Sequence, residues 1–177
     1  MRKLSGLTPL IMLAACVAEQ PAPPPQPAPA PAISAPALPA PPQQGDWRDV
    51  PLTPGRWAYL GGEGRTSMSQ YGEPGRAAIF ALRCDPATRR VIFSLAGSLA
   101  AGEPAAMRFT TSFGGFVYGA ANGAGAPPSI IAQAAARDPN LDKLAFSRGR
   151  FMVEAGGTKI IVPAWPEAAR VIQDCRS

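Results

Sequence analysis

Thiol chemistry is available at three positions, Cys16, Cys84 and Cys175, and the chain contains no histidine. A cysteine can be acylated, paired in a disulfide, used as a metal ligand, or activated as a nucleophile. Without imidazole, the commonest general base, the usual partner of a nucleophile and the usual zinc ligand are missing together. Neither Ser-x-x-Lys nor Gly-x-Ser-x-Gly occurs. The carboxylates Glu63, Glu73, Asp85 and Glu103 sit beside turn signals, where solvation is expected rather than pairing. No catalytic, cofactor-binding or metal-ligating residue is nominated on these grounds, and no cofactor is expected. The chain reads as a non-enzyme; the remaining catalytic route is an unfamiliar arrangement of Asp, Glu and Lys.

Cys16 is positioned by what precedes it. Arg2 and Lys3 are followed by an apolar run from Leu4 to Leu13. That run is too short for a bilayer, which takes roughly 20 apolar residues, and has the proportions of a secretory leader. Leu13-Ala14-Ala15-Cys16 then resembles the lipobox of bacterial lipoproteins, with small residues where a peptidase grips an extended backbone. The resemblance implies removal of residues 1–15, diacylglycerol on the sulfur of Cys16 and acylation of the new amino terminus. Val17, in place of the Asp that favours inner-membrane retention in enteric bacteria, implies the periplasmic face of the outer membrane. The alternative is an ordinary secretory leader in which Cys16 is incidental.

Residues 16–45, from the cysteine through the stretch Val17 to Gly45, are built almost wholly from Pro, Ala and Gln. Proline at this density removes backbone donors and fixes φ, so neither helix nor sheet propagates. The expected form is a semi-rigid spacer reaching at most roughly 90 Å. A proline-motif ligand for a partner module is the alternative use. Residues 46–177 remain as one domain of about 130 residues, enough for a single core. The formal charge of +5 includes Arg2 and Lys3. Arg89-Arg90 and Arg148-x-Arg150 are the basic clusters, expected on solvated strand or turn faces. Nucleic acid is not an expected partner, because no basic stripe with interleaved aromatics is present.

The domain reads as all-β to α+β. Gly55 to Leu60 has strand composition and leads to a Gly61–Gly64 turn, and Arg65 to Tyr71 suits an exposed or edge strand. Phe80, Leu82 and Cys84 share a face at period two, Asp85-Pro86-Ala87-Thr88 fits a type I turn, and Val91, Phe93 and Leu95 return on the same face. Met107, Phe109, Thr111 and Phe113 form another alternating set, with Gly114-Gly115 expected to break it before Phe116-Val117-Tyr118. Asn122 to Pro128 reads as a loop. Asp138-Pro139 signals a helix start carrying Leu141, Leu144 and Ala145 on one face, with Gly149 stopping it. Gly156-Gly157 joins the strands around Met152 and Ile160 as a tight hairpin. Pro166 opens a last helix in which Ala168, Val171, Ile172 and Cys175 fall at i, i+3, i+4 and i+7. Trp47, Trp57 and Trp165 are candidate interface anchors, although core packing is the expected use of each.

Two different periodicities thus place Cys84 and Cys175 on buried faces. In an oxidising periplasm the expected outcome is a Cys84–Cys175 disulfide, closing a loop worth up to ~4.6 kcal/mol in the chain-entropy model. Two buried free thiols are the alternative. Phe146-Ser147-Arg148-Gly149-Arg150-Phe151-Met152-Val153-Glu154, Ile160-Ile161-Val162-Pro163-Ala164-Trp165 and Arg170-Val171-Ile172-Gln173-Asp174-Cys175-Arg176 look like uncharacterised proteobacterial lipoproteins. The order short helix, Gly, hairpin, terminal helix is similar to the invasion-associated locus B family and to an accessory protein of type VI secretion, with different cysteine placement. These resemblances imply a small β-sandwich of antiparallel hairpins with two short helices, one at the C-terminus. They carry no activity; the function expected of the chain is that of a non-catalytic binding or structural module of the envelope, held to the membrane through lipid on Cys16, with an envelope protein or peptidoglycan as partner. The alternative is a periplasmic inhibitor of a protease or lysozyme.

Overall fold

The structure is a computed structural model and describes residues 46–62 and 65–177. The leader 1–15, Cys16, the spacer to Gly45, and Glu63 and Gly64 of the first turn lie outside the described residues.

Nine strands and two helices follow in chain order: β1 (Arg56–Gly62), β2 (Arg65–Gly72), β3 (Phe80–Asp85), β4 (Arg90–Ala96), β5 (Ala106–Thr111), β6 (Gly114–Asn122), β7 (Ser129–Ala135), α1 (Asn140–Ala145), β8 (Arg150–Ala155), β9 (Thr158–Pro163) and α2 (Pro166–Arg176). The strands form one antiparallel sheet in the order β1-β2-β3-β4-β7-β6-β5-β8-β9. The mostly β architecture with two short helices is as expected, but the sandwich arises by curling a single sheet. The fold line is β6, which pairs with β5 through Gly114–Gly119 and with β7 through Ala120–Asn122. The two halves so created face each other. Phe80 and Phe93 of one half meet Phe109 and Phe151 of the other, with ring centroids 4.8 to 6.4 Å apart. These contacts and the period-two faces of β3, β4 and β5 make the centre of the core.

The free edges of the curled sheet, β1 and β9, are drawn together. The Trp57 indole N–H on β1 donates to the Pro163 carbonyl at the end of β9 (2.8 Å). Just before β1, Thr53 exchanges two hydrogen bonds with Ile161: its N–H donates to the Ile161 carbonyl (2.8 Å) and its hydroxyl accepts from the Ile161 N–H (3.0 Å). The buried Tyr71 hydroxyl donates to the Thr53 carbonyl (2.6 Å). Both edges are thereby occupied along part of their length, which limits open-ended strand pairing.

Several local expectations are corrected. The strand Arg65 to Tyr71 is not an edge: β2 lies between β1 and β3, and Ser67, Ser69 and Tyr71 point inward. Serines replace large apolar residues there because α2 packs close on this part of the sheet, and the Ser69 hydroxyl donates to the Glu167 carbonyl (2.6 Å). Phe113 leaves the alternating set and sits half-exposed in a two-residue turn with Ser112, while Gly114 and Gly115 begin β6 rather than breaking the strand. Gly114, at φ +101°, takes the left-handed backbone at the end of that turn. β7 arises in 129–137, a stretch to which the sequence reading assigns no element; Ile130, Ala132 and Ala134 face the core. Asp138, expected as the N-cap with Pro139 first in the helix, lies one residue ahead of the cap at Pro139 and accepts the Asn140 N–H (2.8 Å), and α1 ends at Ala145, short of the expected stop at Gly149. The Gly156-Gly157 hairpin forms with both residues at positive φ (+54° and +69°), and a methyl on Gly156 would fall 2.6 Å from the Ser98 carbonyl oxygen. Trp57 is buried, Trp47 is half-buried, and Trp165 is 47% exposed, against the core role expected of it.

Candidate functional site

Of the three sequence-nominated cysteines, Cys84 and Cys175 are brought together and Cys16 lies outside the described residues. Cys84 ends the inward row Phe80-Leu82-Cys84 on β3, and Cys175 ends the apolar stripe Ala168-Val171-Ile172-Cys175 on α2. They form a disulfide with Cα atoms 5.3 Å apart, within the range such bridges require. Both residues are buried, so the sulfurs are structural and closed to outside nucleophiles or metal. The bridge staples α2 across β3, where helix and sheet already share their most extensive contact.

Beside the staple lies a shallow cleft of about 580 Å³ between β1 and the outer face of α2, lined by Tyr59, Pro166, Glu167, Arg170, Gln173 and Asp174. The Tyr59 hydroxyl donates to Asp174 Oδ2 (2.7 Å), and the Arg170 guanidinium stacks 4.2 Å from the Tyr59 ring centroid. Donation to Asp174 raises the Tyr59 pKa above its ordinary value, with burial adding in the same direction. The bond and the stack hold α2 against β1. No motif in the sequence announces this cluster. Its only trace is the spacing Arg170-x-x-x-Asp174, which puts two charges on one helix face.

Several other charged residues also serve the fold. Asp85 organises its turn, accepting the Thr88 hydroxyl (2.7 Å) and the Ala87 N–H (3.1 Å); the Thr88 bond, with backbone donation, lowers its pKa. Glu103 accepts the Ala100 N–H (2.8 Å), and Glu73 pairs with Arg76 on the surface. Arg89, Arg90 and Arg148 are exposed, as expected of solvated faces, and Arg150 is half-buried; Arg89 also donates to the Arg176 and Ser177 carbonyl oxygens (2.7 and 3.0 Å), and Arg150 to that of Val50 (2.8 Å). Arg176 donates to Asp142 Oδ1 (2.6 Å) and the Ala136 carbonyl (2.8 Å), joining α2 to α1. Among the described residues, no three His, Cys, Asp or Glu side chains gather as a metal site, and no helix is long and apolar enough to cross a membrane.

One end of the sheet is unlike the rest of the surface. The β5–β6 turn, the start of β8 and the end of β9 lie side by side there, because Thr110 pairs with Met152 and Arg150 with Pro163. Ser112 and Ser147 lock the turn to the loop after α1: the Ser112 N–H donates to the Ser147 hydroxyl oxygen (3.1 Å), and the Arg148 N–H to the Ser112 hydroxyl oxygen (2.8 Å). The Ala164 N–H donates to the Gly149 carbonyl (3.0 Å), bringing the segment that carries Trp165 to the same end. Phe113 and Phe146 stand exposed in the first two loops and Trp165 in the third.

No protein family, curated protein or solved structure matches this chain.

Proposed function

We propose that the chain is a lipid-anchored protein of the bacterial outer membrane, facing the periplasm, and that its β domain is a non-catalytic binding or structural module of the envelope. The observation that carries this reading is the Cys84–Cys175 bridge. A disulfide of this kind persists in exported proteins and not in a reducing cytosol. With two of the three cysteines occupied by each other, the remaining one stands in Leu13-Ala14-Ala15-Cys16, the sequence that resembles a lipobox. The proline-rich spacer would then carry the domain up to roughly 90 Å from the anchor, within reach of an envelope protein or peptidoglycan.

Intact mass of the membrane-extracted protein tests the anchor: the reading requires an amino terminus at Cys16 and added lipid mass. Crosslinking in the native envelope, with Cys16→Ser as the unanchored control, tests the module. One dominant partner lost in the control supports it, and a hydrolase as that partner would favour the inhibitor reading. Recovery of abundant envelope proteins alone, equally in both strains, would overturn the specific-partner idea.

A further inference from the structure

Among the described residues, seven large apolar side chains are prominently exposed; Phe113, Phe146 and Trp165 stand in the loops at the end of the sheet described above, and Val50 and Leu52 belong to the entry segment held beside it by Arg150 and Ile161. Phe146 is 64% exposed, Phe113 48% and Trp165 47%. Apolar surface gathered in this way marks a place where something docks, whereas singly scattered residues do not. We propose that this end of the domain rests on a phospholipid bilayer, with Phe113, Phe146 and Trp165 in the headgroup region. The proposal rests on the anchored reading above and adds to it a second, non-covalent contact made by the folded domain.

Three features favour lipid as the occupant. First, the chain enters the domain here. Val50 and Leu52 precede β1, the Val50 carbonyl is held by Arg150, and Thr53 lies against β9 at Ile161. The residues upstream lead back to Cys16 in sequence, so the tether of the anchored reading joins the domain at this end. Second, the side chains suit an interface: Trp and Phe settle at the headgroup level, and Arg148, whose guanidinium carbon lies 5.6 Å from the Phe113 ring centroid, is placed to meet phosphate as the ring enters. Third, the two phenylalanine loops are fixed to each other by Ser112 and Ser147, so little order is lost on landing. The spacer is a poor cover for this surface, because Val17 to Gly45 contains no aromatic residue.

The test uses the membrane-extracted full chain carrying Trp47→Phe, reconstituted into vesicles of phosphatidylethanolamine and phosphatidylglycerol with brominated acyl chains. Trp57 is buried, so quenching reports on Trp165. Expected are clear quenching in this chain, its loss by roughly tenfold in Phe113→Ser/Phe146→Ser, and no change in Leu60→Ser/Val117→Ser, which alters exposed apolar residues elsewhere. Absence of quenching in the starting chain overturns the proposal. So does quenching that survives Phe113→Ser/Phe146→Ser, or that falls equally in Leu60→Ser/Val117→Ser. A protein crosslink lost in the phenylalanine variant without lipid quenching would assign the end to a protein and overturn it as well. The anchor is scored separately from the mass at Cys16: lipid absent there defeats the anchored reading, whereas Trp165 quenching alone decides the contact.

Discussion

Removing the Cys84–Cys175 bridge is the perturbation whose size follows most directly from the structure. The residues are 91 apart in sequence, so the bridge closes a long loop in the unfolded chain. The chain-entropy relation gives up to ~4.6 kcal/mol for a loop of that length at 25 °C. A domain of this size has about 5–15 kcal/mol of total stability. Cys84→Ala/Cys175→Ala, chosen to avoid burying hydroxyls, should therefore remain folded in many conditions but lose about 3–5 kcal/mol and roughly 15 °C in Tm. Folding should survive because α2 keeps its other ties: Tyr59 to Asp174, Ser69 to the Glu167 carbonyl, Arg89 to the Arg176 carbonyl, and Arg176 to Asp142. Urea unfolding of the full chain in a Cys16→Ser background, oxidised, reduced and doubly substituted, measures the effect. The urea slope should rise when the bridge is absent, since an uncrosslinked unfolded chain exposes more surface. Equal slopes with a stability change below about 1 kcal/mol would refute the argument that the bridge acts on the unfolded state.

Trp57→Phe removes the donor to the Pro163 carbonyl and leaves a void between the edges of the curled sheet, for an expected cost of about 2–4 kcal/mol in urea unfolding. At Ser69, alanine should cost about 1 kcal/mol for the lost bond to the Glu167 carbonyl, while leucine should cost about 3 kcal/mol or more by pushing α2 off the sheet; Tm values separate the two. The Tyr118 hydroxyl is buried with no hydrogen-bond partner among the described residues, and burial, reinforced by the charge of Asp138, raises its pKa above 10.0. The folded state then keeps a proton that the unfolded chain gives up, so this stabilisation is complete below about pH 10 and is lost as pH rises toward the folded value. Tyr118→Phe should flatten the alkaline fall in stability, leaving a smaller slope from Tyr71, whose pKa burial raises, and Tyr59, whose pKa donation to Asp174 raises; denaturation midpoints between pH 9 and 12, on the order of one point per unit, check it.

What could be read from the sequence was whatever a single element decides for itself. Phe80-Leu82-Cys84 and Val91-Phe93-Leu95 carry their strand faces in plain alternation, and Ala168, Val171, Ile172 and Cys175 carry a helix stripe. The disulfide followed because each of those patterns pointed a cysteine inward. β2 was misread because its inward residues answer to α2: the helix needs room, and serine provides it at 67 and 69. β7 is hidden by alanines, which carry little strand preference and become strand only because β4 pairs along the whole length of β7. The exposed end escaped notice for the same reason. Phe113, Phe146 and Trp165 are far apart in sequence, and Phe113 looked like the continuation of a buried row. Only the side-by-side alignment of β5, β8 and β9 makes neighbours of their loops.

The bridge also divides the chain mechanically. Any tension applied upstream of Asp46 first meets the bonds that hold Val50 and Thr53 to Arg150 and Ile161, a few contacts that can be peeled one by one. Beyond them the force runs through β1, β2 and β3 to Cys84, and there it can cross covalently to Cys175. The intervening chain, about 300 Å if it were drawn straight, is excluded from the load path. Strands β4 to β9 lie inside the closed loop and would keep their pairing while the entry segment yields, so a pull between the point of attachment and the C-terminus lengthens the attachment first.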